Sequence, residues 1–130
     1  HLIDLMATCV EISGLQYPAK FREHAIDPLE GVSLVPAFRG KSLGRKDALY
    51  FEHHLNCAIR DGDWKLVRYG RTGRPSTLQS WELYDLSKDR IESNDLAREK
   101  PELAQALEKK WEAWAERAKV KPWPWTFDSD

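Results

Sequence analysis

Cysteine is scarce in this chain, and its two copies are poorly placed for cluster chemistry. Cys9 and Cys57 sit in unlike contexts, far from any C-x-x-C spacing, so neither a zinc cluster nor a disulfide framework is expected, and the compartment stays undetermined. An excess of one charge is also missing. Twenty basic residues against 21 acidic ones leave a formal net charge of −1. A dedicated nucleic-acid binder would carry a basic excess to meet phosphate, so no nucleic-acid partner is expected. No apolar run approaches the ~20 residues needed to cross a bilayer, and no membrane partner is expected. The compact catalytic signatures G-x-S-x-G, G-x-x-x-x-G-K-[ST] and H-E-x-x-H do not occur. The chain opens "HLIDLMATCVEISG", with neither an initiator methionine nor a signal peptide. A start inside an amphipathic pattern looks cut from something longer.

What is present suits one modest core. The chain has 130 residues, 42% hydrophobic and 32% charged, which is a globular composition. Leu2, Ile3, Leu5, Met6, Cys9, Val10 and Ile12 recur at near-helical spacing, with Gly14 placed as a C-terminal cap, so a helix is predicted over Leu2–Ser13. Residues 14–48 carry Pro18, Pro28, Pro36 and several glycines, and read as irregular connection with one helical turn at Val32–Arg39. The centre reads as sheet: "ALYFEH", "CAIRD", "WKLVRYG" and "WELYDL" are four strand-like runs. Asp61-Gly62 between two of them is a short-hairpin signal, because glycine reaches positive φ without steric cost. "GRTGRPSTLQ" reads as a mobile excursion, and Asp85 and Asp89 fit a turn. From Pro101 the period changes. Leu103, Leu107, Trp111, Trp114 and Ala118 form a helical stripe with a charged back, which should lie on one face of the sheet. "KPWPW" should follow as an extended tail. The fold class is therefore α+β: a small antiparallel sheet of about four strands against a long C-terminal amphipathic helix, preceded by a short helix and a Pro/Gly-rich connection.

Functional residues are few. His53 and His54 are adjacent at a strand end, where neighbours point to opposite faces, so they should not bind one metal together. They are either strand-end polar residues or include one member facing a ligand. Cys57, inside the apolar "CAI", reads as a small buried residue rather than a thiol nucleophile, which would need an electropositive, accessible setting. The Trp111/Trp114 stripe reads as core. Trp123 and Trp125 could cover a sheet edge or line an opening. Arg60 and Lys65 read as cross-strand partners of Asp85 or Glu82, worth ~0.2–1 kcal/mol each on an exposed face.

The order of segments resembles a known family. "HLIDLMATCVEISG…YP", "GVSLVPAFRG", "LYFEHHLNCAIRDGDWKLV", "WELYDLSKDRIESNDLA…PEL" and "VKPWPW" together resemble the C-terminal region of arylsulfatase-type sulfatases, within the alkaline-phosphatase-like superfamily. The resemblance implies that residues 1–48 end a large sulfatase domain and connect onward, and that residues 49–130 form a C-terminal subdomain. It implies a sulfuric ester hydrolase whose nucleophile, a formylglycine made in C-x-P-x-R or S-x-P-x-R, and whose calcium site lie elsewhere in the parent enzyme. Neither Cys9 nor Cys57 is followed by x-P-x-R, so no catalytic residue and no metal ligand is assigned here, and the chain alone should be inactive.

The stretch corresponding to the family's usual "EHEGNRAIRDGDWKL" reads "EHHLNCAIRDGDWKL", with His54, Leu55 and Cys57 replacing Glu, Gly and Arg. Ala7 likewise replaces the proline of the family's D-x-x-P-T. On the resemblance, His53 is the pocket-facing member, with His54 and Asn56 beside it, contacting the leaving-group side of the substrate. A neutral imidazole can hydrogen-bond a sugar or phenolic oxygen without performing chemistry. The implied partners are the missing N-terminal catalytic domain of the same polypeptide and a sulfated small molecule or glycan. Without that domain, self-association or partial disorder in residues 15–48 is expected. Family members are often periplasmic, secreted or lysosomal, and this sequence does not choose among them. Two other readings remain open: a stand-alone glycan-binding module, resting on Trp123, Trp125 and "GRTGRP", and the C-terminal part of a related phosphodiesterase or phosphonate hydrolase.

Overall fold

The computed structural model describes residues 1–70 and 80–120, which fall into two compact units, His1–Arg45 and a second beginning at Lys46. The first unit holds helix α1, Asp4–Ser13, closed by Gly14 at φ 68°, whose N–H donates to the Glu11 carbonyl at 3.2 Å. That left-handed cap is the one the sequence marks, since glycine adopts it freely. The connection after it contains a two-stranded antiparallel pair, β1 (Lys20–Phe21) with β2 (His24–Ala25), and a short helix α2, Val35–Phe38. The helical turn is where residues 32–39 placed it. The small hairpin was not foreseen, because two-residue strands leave no alternation to read.

The second unit is an antiparallel meander followed by a helix. Strands β3 (Leu49–His53), β4 (Asn56–Asp61), β5 (Trp64–Arg68) and β6 (Glu82–Asp85) lie in sheet order β3-β4-β5-β6. Asp61 pairs with Trp64, so Gly62-Asp63 is the two-residue connection, and Gly62 takes φ 60°. Register aligns Tyr50, Ile59, Leu66 and Leu83 in one row across all four strands. Ile59, Leu66 and Leu83 are fully buried. Burial of this order contributes about 1.5–3 kcal/mol per side chain.

Helix α3, Pro101–Arg117, covers that row. Proline at its first position has no N–H to leave unpaired, and Glu102 and Arg117 complement the dipole at either end. Leu107 and Trp111 complete the core, with Leu103, Ala104, Trp114 and Ala115 packed at its margin. Tyr50 stacks on Trp114 with centroids 5.2 Å apart, and Trp81 meets Trp111 edge-on at 5.8 Å. Ala118 is exposed and caps the helix, so the stripe ends one turn earlier than its spacing suggests. The helix is tied to the sheet by Trp111 Nε1 donating to the Phe51 carbonyl at 3.1 Å, Lys110 Nζ to Asp61 at 2.6 Å and Trp81 Nε1 to Glu108 at 2.6 Å.

Candidate functional site

The candidate site is the turn joining β3 to β4. His53 pairs with Asn56, which leaves His54 and Leu55 as a two-residue connection. Both take positive φ, 50° and 73°, as a type I′ turn requires. Neither is glycine, and a left-handed residue costs roughly 1–2 kcal/mol where a Cβ is present. This corrects the expectation that the two histidines face opposite sides of a strand. The strand ends at His53, and the left-handed turn swings the His54 ring alongside it. The imidazoles stack with centroids 4.3 Å apart and planes 19° from parallel. His53 is exposed and His54 half-buried.

Asn56 lies at the base of the turn. Its Nδ2 donates to the His53 carbonyl at 2.9 Å, and its Oδ1 accepts the Gly70 N–H at 3.2 Å. Thus His53, His54 and Asn56 are brought together as one local cluster. Arg60 and Lys65 do not take the partners expected of them. Lys65 Nζ binds both Glu92 oxygens at 2.6 and 2.7 Å, and Arg60 Nε donates to the Gly62 carbonyl. Asp85 sits opposite Trp64 on the helix-covered face, out of reach of Lys65 on the other, and accepts from Ser87 instead. A hollow of about 460 Å³ lined by Arg60, Asp63, Leu86, Ser87, Arg90 and Glu92 lies at the opposite end of β4. It pairs two guanidinium groups with two carboxylates and includes none of the three candidates.

Cys57 is buried against Ile59 and Leu66, in the setting its "CAI" context predicts. Burial pushes its thiol above the ordinary value, against the opposing pull of the Arg68 guanidinium. Cys9 is exposed. At pH 8 Ellman's reagent should therefore label one thiol of this native chain quickly, and the second only in denaturant. Equal native rates for both would refute the burial of Cys57. Among the described residues no group of three or more His, Cys, Asp or Glu side chains could hold a metal ion. Trp123, Trp125, the "KPWPW" tail and residues 71–79 of the "GRTGRPSTLQ" excursion lie outside the described residues.

One cluster escaped the sequence reading. In the first unit Asp4 and Thr8 are the buried residues of α1, while Met6 and Ile12 are 56% and 69% exposed. The Asp4 carboxylate accepts from the Val32 N–H at 2.9 Å and from Arg45. Thr8 Oγ1 donates to the Asp4 carbonyl at 2.6 Å and accepts the Leu34 N–H at 2.9 Å. Burial pushes the Asp4 carboxyl up, while the hydrogen bonds from Arg45 and Val32 and the Arg45 charge pull it down, below the ordinary carboxylate value. The signal was available: these are the first and last residues of the motif in which Ala7 stands for proline.

A four-stranded meander backed by one long helix, with an imidazole pair on its first turn, defines a small α+β module. The same fold recurs inside solved sulfatase structures. Ps i-CgsB, solved with k-i-k-neocarrahexaose, is 20% identical over 97% of this chain and 26% of its own, with a TM-score of 0.65. BT33336S-sulf, a protein of glycosaminoglycan metabolism in Bacteroides thetaiotaomicron, is 21% identical over 85% of this chain and 24% of its own, TM-score 0.62. BT4656, solved with its substrate D-glucosamine-2-N,6-O-disulfate, gives 20%, 92% and 24%, TM-score 0.60. YidJ of Bacteroides fragilis, assigned as a sulfatase, gives 18%, 89% and 24%, TM-score 0.56. No family model matches the sequence. The chain spans about a quarter of the length of each solved structure, and the likeness is one of fold.

Proposed function

We propose that this chain is the C-terminal part of a sulfatase that hydrolyses aryl or carbohydrate sulfate esters, completing the fold and one wall of the substrate pocket. The observation that carries the proposal is the fold match, which runs along nearly all of this chain but along only about a quarter of each sulfatase chain. Residues 1–48 then end the large domain and residues 49–130 are the C-terminal subdomain. The exposed apolar side of α1 supports this, because Leu5, Met6 and Ile12 have no cover within their own unit, which a larger domain would supply. In isolation the same surface should promote self-association.

The calcium ion and the formylglycine belong to the upstream part, and no residue of this chain is given a step with either. Its own contribution is recognition. His53, exposed on a fixed turn, hydrogen-bonds the alcohol oxygen of the leaving group, with the His54 ring stacked behind it. The coding sequence upstream of His1, followed by assay of the full polypeptide, tests the reading. The frame should continue through C-x-P-x-R or S-x-P-x-R, and the full polypeptide should cleave a sulfate ester that the 130-residue chain leaves intact. An in-frame stop just before His1 would sink the proposal. So would a full polypeptide that cleaves phosphodiesters or phosphonates and no sulfate ester.

A further inference from the structure

The β3–β4 turn is held from several sides. Asn56 has both ends of its amide committed, Nδ2 to the carbonyls of His53 (2.9 Å) and His54 (3.5 Å), and Oδ1 to the Gly70 N–H (3.2 Å). Glu52 Oε1 accepts the Leu55 N–H at 3.2 Å. Gly70 is buried so close to the turn that a Cβ there would fall 2.7 Å from the Leu55 carbonyl oxygen and closer still to its Cβ. These contacts surround the two residues, His54 and Leu55, that carry the unfavourable positive φ. A turn of residues that disfavour its geometry persists only where its surroundings over-determine it.

We propose that Asn56, backed by Gly70, is a positioning residue that locks the stacked His53–His54 imidazoles in the orientation presented to ligand, and is not itself a ligand contact. The amide nitrogen is directed at the two flanking carbonyls and the amide oxygen at the Gly70 N–H, so both ends of the side chain point into the turn. It acts on ligand only through the two carbonyls flanking the histidine side chains. This inference rests on the reading of His53 as a substrate contact, so its test uses two readouts that can fail separately.

In the full polypeptide carrying this chain, with an aryl sulfate as probe, Asn56→Ala, His53→Ala and the double variant are compared. Asn56→Ala should raise KM about tenfold with kcat within about twofold, a 1.4 kcal/mol loss of binding. His53→Ala should do the same, and the double variant should be no worse than either. Asn56→Asp, which keeps the acceptor for Gly70 but not the donor to His53, should fall between wild type and Asn56→Ala. Independently, NMR contacts between the His53 and His54 rings should weaken in Asn56→Ala while the amides of Ile59 and Leu66 stay protected. Unchanged ring contacts in Asn56→Ala would overturn the positioning role, as would KM effects that add in the double variant. Lost ring contacts with KM insensitive to His53→Ala would leave the clamp standing and remove the substrate contact.

Discussion

Trp111→Ala should lower the stability of the second unit by about 3–5 kcal/mol, the range for truncating a large aromatic in a packed core. Trp111 lies at the junction of helix and sheet. It meets Trp81 at 5.8 Å and Trp114 at 6.2 Å, and Arg68 lies 5.8 Å from its ring centroid. It also packs in the cluster of Cys57, Ile59, Leu66, Leu83 and Leu107. The substitution removes the ring and the Nε1 donor that reaches the Phe51 carbonyl. Since domains have only about 5–15 kcal/mol in total, the variant should be near the edge of folding. Urea unfolding followed by circular dichroism measures it, with Glu112→Ala on the exposed side of the same turn as the control, expected within about 0.5 kcal/mol of wild type. A cost below about 1 kcal/mol would mean that the helix does not seal the sheet as described.

Asp4→Ala should have a comparable effect on the first unit, about 3–5 kcal/mol, because it leaves the Arg45 charge and the Val32 N–H without their acceptor. Amide exchange is the suitable probe. Protection at Val32 should vanish in Asp4→Ala, and protection at Leu34 should vanish in Thr8→Val. Gly31 belongs to the same arrangement. A Cβ there would come within 2.5 Å of the Ile3 carbonyl carbon, so the backbone at 31–32 approaches the start of α1 as only glycine permits.

The carboxylate also sets a pH dependence. Its folded value lies below the ordinary 3.8, so the unfolded chain binds the proton more tightly. The stabilisation is complete only well above about pH 4 and is lost progressively as the pH falls below it. Exchange at Val32 that is equally protected at pH 5 and pH 2.5, after correction for intrinsic rates, would contradict this account.

The meander and its helix could be read directly because their determinants are local. Alternation over β4 and β5, glycine at the 62 turn and a four-three stripe along α3 each act within a few residues. The Asp4–Thr8 cluster could not be read the same way. Apolar spacing in α1 predicts a helix, but within its own unit the helix turns two polar residues inward to meet backbone N–H groups about 26 to 28 residues later. A periodicity argument counts hydrophobic side chains and cannot see a polar partner that distant. Lys65 shows the same limit, choosing Glu92 beyond the sheet over the nearer acids in β6.

His53, His54 and Asn56 were marked by their place in the resemblance, and the sequence by itself determined that they sit next to the hairpin. Only the tertiary structure decided that His54 leaves the strand. Positive φ at His54 and Leu55 is locally unfavourable, so no local rule selects it. It is held by Glu52 and Asn56 within the hairpin and by a glycine fourteen residues beyond Asn56, and the stacked imidazoles accompany that combination of contacts.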